Sequence, residues 1–224
     1  EVNKWLERIT KFSSEINYLL ADIQIKGTAK LDGFAGYDDG NKLYTRGDGN
    51  KGSDISRVFE RGLGVFNNSE RGQGPGEIVV KRSYFEKYLS NHFEYPRNFQ
   101  ASLIKEKELD KLAIDAISAK AALFVPFNQL PHWLGGIDEF RKQFLDVVSQ
   151  LEGGVDFDID GVVFEIVNPE LKKHMGSNRK FHRWQIAFKE NKEKAQVKVL
   201  SITAQVGRTG KITPVAELEP TQLS

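Results

Sequence analysis

The sequence predicts an α+β domain followed by the start of a smaller β-rich one. Three observations lead there. Helix-like and strand-like stretches follow one another without the regular β-α alternation of a doubly wound sheet. Apolar residues are 39% and aromatics 11% of 224 residues, enough for one large core. Near residue 195 the texture changes, and two strand-like stretches flank a Gly207-Arg208-Thr209-Gly210 turn.

Taken in order, residues 3–21 carry Trp5, Leu6, Ile9, Phe12, Ile16 and Leu19 at helical spacing. Residues 23–30 and 42–46 read as strands joined by a turn at Asp38-Asp39-Gly40-Asn41. A glycine-rich loop spans Arg46 to Gly52, and a helix can start in Asp54 to Arg61. Residues 62–76 read as loop and Glu77 to Val80 as a short strand. Ser83 is placed to cap a helix to about Ser90, with Glu86 at the capping-box position. Residues 106–118 and 137–151 read as helices. Residues 121–127, 160–167 and 184–189 read as strands, the second ended by Asn168-Pro169. Strands are expected over 196–205 and 211–218. The implied organisation is a helical segment over 1–22, the end of an N-terminal subdomain, then a main domain over 23–195 and the beginning of another over 196–224.

The bulk numbers exclude several classes. Thirty-two Lys and Arg against 31 Asp and Glu leave a formal charge of +1, so a nucleic-acid-binding face must be local. With no cysteine, the chain has no disulfide framework, zinc finger or cysteine nucleophile. No run of about 18 apolar residues suggests a membrane helix. The first residues are amphipathic with acidic groups, unlike a signal peptide. The chain starts without Met and stops after a strand-like segment, which reads as a piece excised from a longer protein.

Candidate chemistry sits at successive strand ends. Lys30-Leu31-Asp32-Gly33 puts an amine at a strand end before a turn, where burial or a neighbouring cation could free it as a nucleophile for an α-phosphate. Thr45-Arg46-Gly47-Asp48-Gly49 offers backbone amides and a cation to an anion. Glu77 after Gly76 could accept hydrogen bonds from ribose hydroxyls. Pro96-Arg97-Asn98 is a rigid turn carrying a cation. Asp160-Gly161-Val162-Val163 sets a carboxylate at the mouth of an apolar strand, where it could bind Mg²⁺. Trp184 to Lys189 ends a strand in a lysine that could neutralise a transferring phosphate. Taken singly, each has a plain alternative: a solvated turn, a strand-end carboxylate or a surface lysine.

Their order resembles that of the NAD⁺-dependent DNA ligases, a family of covalent nucleotidyltransferases. The match runs through Lys30 to Gly33, Thr45 to Gly49, Gly76-Glu77, Pro96 to Asn98, Ile159 to Val163 and Trp184 to Lys189. It ends in the long stretch Gln205 to Ala216, similar to the start of the family's OB-fold domain. The resemblance implies an ATP-grasp-like adenylation fold, with the beginning of an OB-fold at the C-terminus. It implies Lys30, Lys189 and Asp160 as catalytic residues. Asp32, Gly33, Arg46, Glu77 and Gly161 would bind the nucleotide, and Arg97 and Arg208 would touch DNA. NAD⁺ would be the AMP donor, Mg²⁺ the metal, with Asp160 its ligand, and nicked duplex DNA the partner. A cytoplasmic monomer, without membrane attachment, is the implied setting.

Four positions depart from that family. Thr28 stands where a Glu is usual, Pro75 where an Arg is usual, and Gln150-Leu151-Glu152 where an Arg is expected. Glu165 replaces a Lys. An anion beside the AMP phosphate would cost several kcal/mol, about 4 at 4 Å and an effective dielectric near 20. A cation such as Lys192 or Lys194 would have to compensate, or the chain would be an impaired homologue that only binds nucleotide or DNA. An ATP-using nucleotidyltransferase is the other alternative.

Overall fold

Between Lys30 and Gly33 the chain leaves one β-sheet and enters another. In the computed structural model, which describes residues 1–47, 51–178, 181–189 and 196–221, strand β1 (Gln24–Leu31) belongs to a four-stranded sheet and β2 (Phe34–Asp38) to a five-stranded one. The hairpin expected between 23–30 and 42–46 is therefore divided. The turn after Asp38 joins β2 to β3 (Leu43–Thr45) instead. Strand β2, read Phe-Ala-Gly-Tyr-Asp, is too short and mixed to announce itself by alternation.

The four-stranded sheet has the order β7-β1-β8-β9, with β7 (His132–Gly136), β8 (Ile159–Ile166) and β9 (Gln185–Phe188), all pairs antiparallel. In β1 the pleat buries Ile25, Gly27, Ala29 and Leu31 and leaves Lys26, Thr28 and Lys30 half-buried on the other face. Against the buried face pack the apolar stripes of α6 (Ile137–Gly153) and α1 (Val2–Glu15). Phe140, Val147 and Leu151 meet Val162, Phe164 and Ile166, and Trp5 and Ile9 complete the cluster. Helix α1 also packs on α7 (Pro169–Met175).

The five-stranded sheet has the order β3-β2-β5-β6-β4, with β4 (Gly64–Val65), β5 (Gly74–Val80) and β6 (Ala122–Pro126). Only the β4–β6 pair is parallel. Phe99 and Leu103 of α4 (Pro96–Lys105) and Ala113 and Ala116 of α5 (Lys111–Ser118) pack on Ile78, Val80 and Phe124, together with Val58 of α2 (Arg57–Glu60). A third apolar cluster of Leu31, Val79, Leu123, Val125, Leu130 and Phe157 draws on residues of both sheets. The mixture of antiparallel sheets with helices grouped on their faces is the expected α+β class.

Several expectations are corrected. Helix α1 stops at Glu15, because Asn17 takes a positive φ of 54° and a 3-10 turn, Leu20–Asp22, follows. Ser83 is not a cap. It lies inside the short helix α3 (Arg82–Tyr84), and both its N–H and its hydroxyl donate to Asp156. The helix then continues as a π-helical turn, Phe85–Leu89. Pro96-Arg97-Asn98 is the first turn of α4, with Pro96 where its missing N–H costs nothing. Asn168-Pro169 ends β8 but also opens α7 for the same reason. Strand β7, read His-Trp-Leu-Gly-Gly, was unmarked because its two glycines look like loop. The loop expected over 62–76 contains β4 and the start of β5.

Residues Glu1–Lys189 form one compact unit and Glu190–Ser224 another. Within the second, β10 (Val199–Val206) and β11 (Ile212–Leu218) pair antiparallel as expected. No helix among the described residues is long and apolar enough to cross a membrane.

One irregularity positions the site. In the β1–β8 ladder Ala29 pairs with Val162 but Leu31 pairs with Ile159. Two residues of β8, Asp160 and Gly161, therefore stand opposite Lys30, as in a β-bulge. Simple alternation from the fully buried Val162, Phe164 and Ile166 would turn Asp160 into the core. The extra residue carries it to the face of Lys30. Gly161 takes φ of +104°, and a Cβ there would lie 2.1 Å from the Phe188 carbonyl oxygen. Gly161→Ala is expected to cost at least about 1–3 kcal/mol through the left-handed backbone alone. Urea unfolding would read this as a lower midpoint, and an unchanged midpoint would contradict it.

Candidate active site

Two amines share one carboxylate oxygen. Lys30 Nζ donates to Asp160 Oδ2 at 3.1 Å, and Lys189 Nζ, from the residue after β9, donates to the same oxygen. Like charges gather here only because the carboxylate lies between them. Burial pushes the Asp160 carboxyl up, but the hydrogen bonds from Lys189 and Lys30 outweigh it and hold it below the usual carboxylate range. The side chains of Lys30 and Asp160 remain about one-third exposed, so the amine is open to a ligand.

The turn after Lys30 is fixed from two sides. The N–H of Asp32 donates to the Asp158 carbonyl at 2.9 Å, and that of Gly33 donates to Glu77 Oε2 at 2.6 Å. A Cβ at Gly33 would lie 2.5 Å from the Ile78 carbonyl oxygen, so the crossing passes β5 too closely for any side chain. Burial drives the Glu77 carboxyl up to about 7, against the lowering effects of the Gly33 hydrogen bond and the Lys30 charge. Asp32 pairs with Arg97. Arg97 lies in the first turn of α4, where the helix dipole disfavours a cation, and Asp32 offsets that.

Lys30 opens into a cavity of about 620 Å³ whose walls come from both sheets. Lys26, Thr28 and Lys30 of β1, Val163 and Glu165 of β8 and Gln185 of β9 form one wall. Arg46, Pro75, Glu77 and Phe127 stand opposite. Those last four also line a neighbouring cavity of about 850 Å³, which runs along Tyr37, Tyr44 and Thr45.

The structure thus brings together Lys30, Asp160, Gly161, Lys189, Glu77, Gly33 and Arg46. Asp32 and Arg97 sit beside them as a pair. Arg208 follows β10 in the second unit. Of the Thr45 to Gly49 motif, Asp48 and Gly49 lie outside the described residues, as do Lys192 and Lys194.

The departures cluster. Thr28 and Pro75 line the same cavity as Glu165, whereas Gln150 to Glu152 end α6. Glu165 is opposite Lys26 on β1 and Gln185 on β9, four strand residues from Lys30. Lys172 of α7 reaches its Oε2 at 3.6 Å, and Gln185 Nε2 lies 3.5 Å away. Lys172 also sits 4.2 Å over the Trp184 ring, on which His182 stacks at 4.5 Å. Sequence reasoning passed over Lys172, Lys26 and Gln185. The alternation of polar residues at 26, 28 and 30 was the available signal for Lys26.

With this geometry in view, the comparisons are specific. The chain is similar along its whole length to proteins named DNA ligase. One from Ruthia magnifica subsp. Calyptogena magnifica is 66% identical over all 224 residues, which cover 36% of that protein. One from Vesicomyosocius okutanii is also 66% identical, with 35% covered, and one from Shewanella baltica is 52% identical, with 35% covered. The chain therefore spans about a third of the length of these relatives. No family model matches it.

The Glu77 environment gives a pH prediction. A carboxyl raised in the fold from 4.5 to about 7 binds its proton more tightly folded than unfolded, so it destabilises as pH rises through that window. Relative to Glu77→Gln, which cannot ionise, the native chain should lose stability between about pH 4.5 and 7. Urea unfolding of both at pH 5 and 7.5 checks this, and a constant difference would contradict it.

Proposed function

We propose that this chain is the adenylating core of a NAD⁺-dependent DNA ligase. The observation that carries the reading is the Lys30 amine at one end of a two-walled cavity, tied to Asp160 beside a second cation, Lys189. A phosphate entering there meets a nucleophile, two further cations in Lys189 and Arg46, and a buried carboxylate, Glu77.

In this reaction the Lys30 nitrogen attacks the α-phosphorus of NAD⁺. A P–N bond forms, the P–O bond to nicotinamide mononucleotide breaks, and the proton lost by the amine passes through Asp160 to solvent. Lys189 and Arg46 balance the charge developing on the phosphoryl oxygens. Glu77 accepts from ribose hydroxyls. A 5′-phosphate oxygen of a nick then attacks the adenylyl phosphorus and the P–N bond to Lys30 breaks. Last, the 3′-hydroxyl attacks the 5′-phosphorus, forming the phosphodiester as AMP leaves. Arg97 and Arg208, both exposed, suit backbone contacts that position DNA without reading its sequence.

Mg²⁺ fits here as a companion of the substrate. Asp160 is a single carboxylate already shared by two amines, and no cluster of three His, Cys, Asp or Glu occurs among the described residues. Asp160 would then be its one protein ligand, the phosphates and water supplying the rest, as Mg²⁺ prefers.

Glu165 does not weaken the reading. Four residues along β1 is about 13 Å at ~3.3 Å per residue. Over that distance its repulsion of a phosphate at Lys30 falls to about 1 kcal/mol at an effective dielectric near 20. Lys172 further neutralises it.

Intact mass after incubation with NAD⁺ and Mg²⁺ tests the proposal, run on this chain and on one extended to the length of its relatives. One AMP is expected to be gained with NAD⁺, not with ATP, and lost in Lys30→Ala. Lys189→Ala should slow adduct formation by roughly 100-fold. No adduct on the extended chain would overturn the enzyme reading, and an adduct from ATP would move the chain to the ATP-using nucleotidyltransferases.

A further inference from the structure

We infer that Glu165 is a specificity residue that reads an exocyclic amino group on the nucleotide's base. The inference rests on the nucleotide reading of the cavity. It concerns the end of the cavity that the chemistry at Lys30 leaves unused.

Lys26, Glu165 and Gln185 form one cross-strand row over β1, β8 and β9, all three lining the cavity. Lys30 lies on the same face, about 13 Å further along β1 at ~3.3 Å per residue. That separation is about the span of a nucleoside monophosphate from phosphorus to the far edge of its base. A phosphate at Lys30, with its ribose at Glu77, therefore directs the base to this row.

The row is built rather than merely exposed. Lys172 holds Glu165 Oε2 from one side and is itself fixed over the Trp184 ring. Gln185 touches the same oxygen. Lys172 and Gln185 both engage Oε2, and Glu165 itself lines the cavity. An ionised carboxylate only accepts hydrogen bonds, so the base atom opposite it must be a donor. An amino-substituted base supplies one. A base with a carbonyl oxygen in its place sets two acceptors against each other, and leaving buried polar groups unpaired is what makes such discrimination large.

Calorimetric titration of this chain with AMP, GMP and IMP tests the inference, since IMP lacks both exocyclic amines and the assay needs no catalysis. The better of AMP and GMP should bind at least about tenfold tighter than IMP. In Glu165→Gln, whose amide both donates and accepts, the gap should shrink to within about threefold. In Glu165→Lys, a pure donor, IMP should overtake. IMP binding as tightly as AMP and GMP, or a gap that survives Glu165→Gln, would overturn the role of Glu165 while leaving the nucleotide cavity standing. Failure of all three nucleotides to bind would overturn both readings.

Discussion

One extra residue in one strand decides what the rest of this molecule can do. The bulge opposite Lys30 turns Asp160 out of the core and onto the face of the cavity, and it is possible only because Gly161 takes a left-handed conformation against the Phe188 carbonyl. From that single displacement follow the shared carboxylate oxygen, the gathering of Lys30 and Lys189, and the alignment of β1, β8 and the end of β9 on one point. Without the bulge the same sequence would bury a carboxylate among Val162, Phe164 and Ile166, an arrangement whose cost no apolar partner could offset.

The cavity owes its second wall to the crossing at Asp32-Gly33. Because β1 and β2 belong to different sheets, the strand that carries Lys30 leads directly into the sheet that carries Glu77. The Gly33 amide and the Glu77 carboxyl clasp that crossing. Glu77 is therefore both a structural acceptor and the most perturbed carboxyl of the site, its burial maintained by the passage of the chain over it. Charge is then graded along β1. Cations dominate near Lys30, and a neutralised carboxylate, Glu165 with Lys172, occupies the other end.

Much of this was legible in the sequence, and what was not had definite physical causes. Lys30, Asp160 and Lys189 stand at or beside strand ends, as read, whereas Glu77 lies in the middle of β5 rather than at its start. Periodicity recovered β1, β6, α6 and β8 closely. Periodicity failed where a segment was short or broken by glycine, as in β2 and β7, and where Pro169 both ended a strand and opened a helix. The bulge could not be read at all, since alternation predicts the wrong face for Asp160. Nor could the partner of Glu165: Lys172 lies seven residues away on α7, beyond the Asn168-Pro169 break, and no periodicity links the two.

The central claim is that one carboxylate, delivered by a bulge, organises two amines for attack on a phosphate. Asp160→Asn keeps the shape and removes the charge. Measured side by side, the rate of lysyl-AMP formation from NAD⁺ should fall by roughly 100-fold, while AMP affinity changes by no more than about threefold, equivalent to ~0.65 kcal/mol. An unchanged rate in Asp160→Asn would contradict the account, because the two amines would then be held and activated by something other than Asp160.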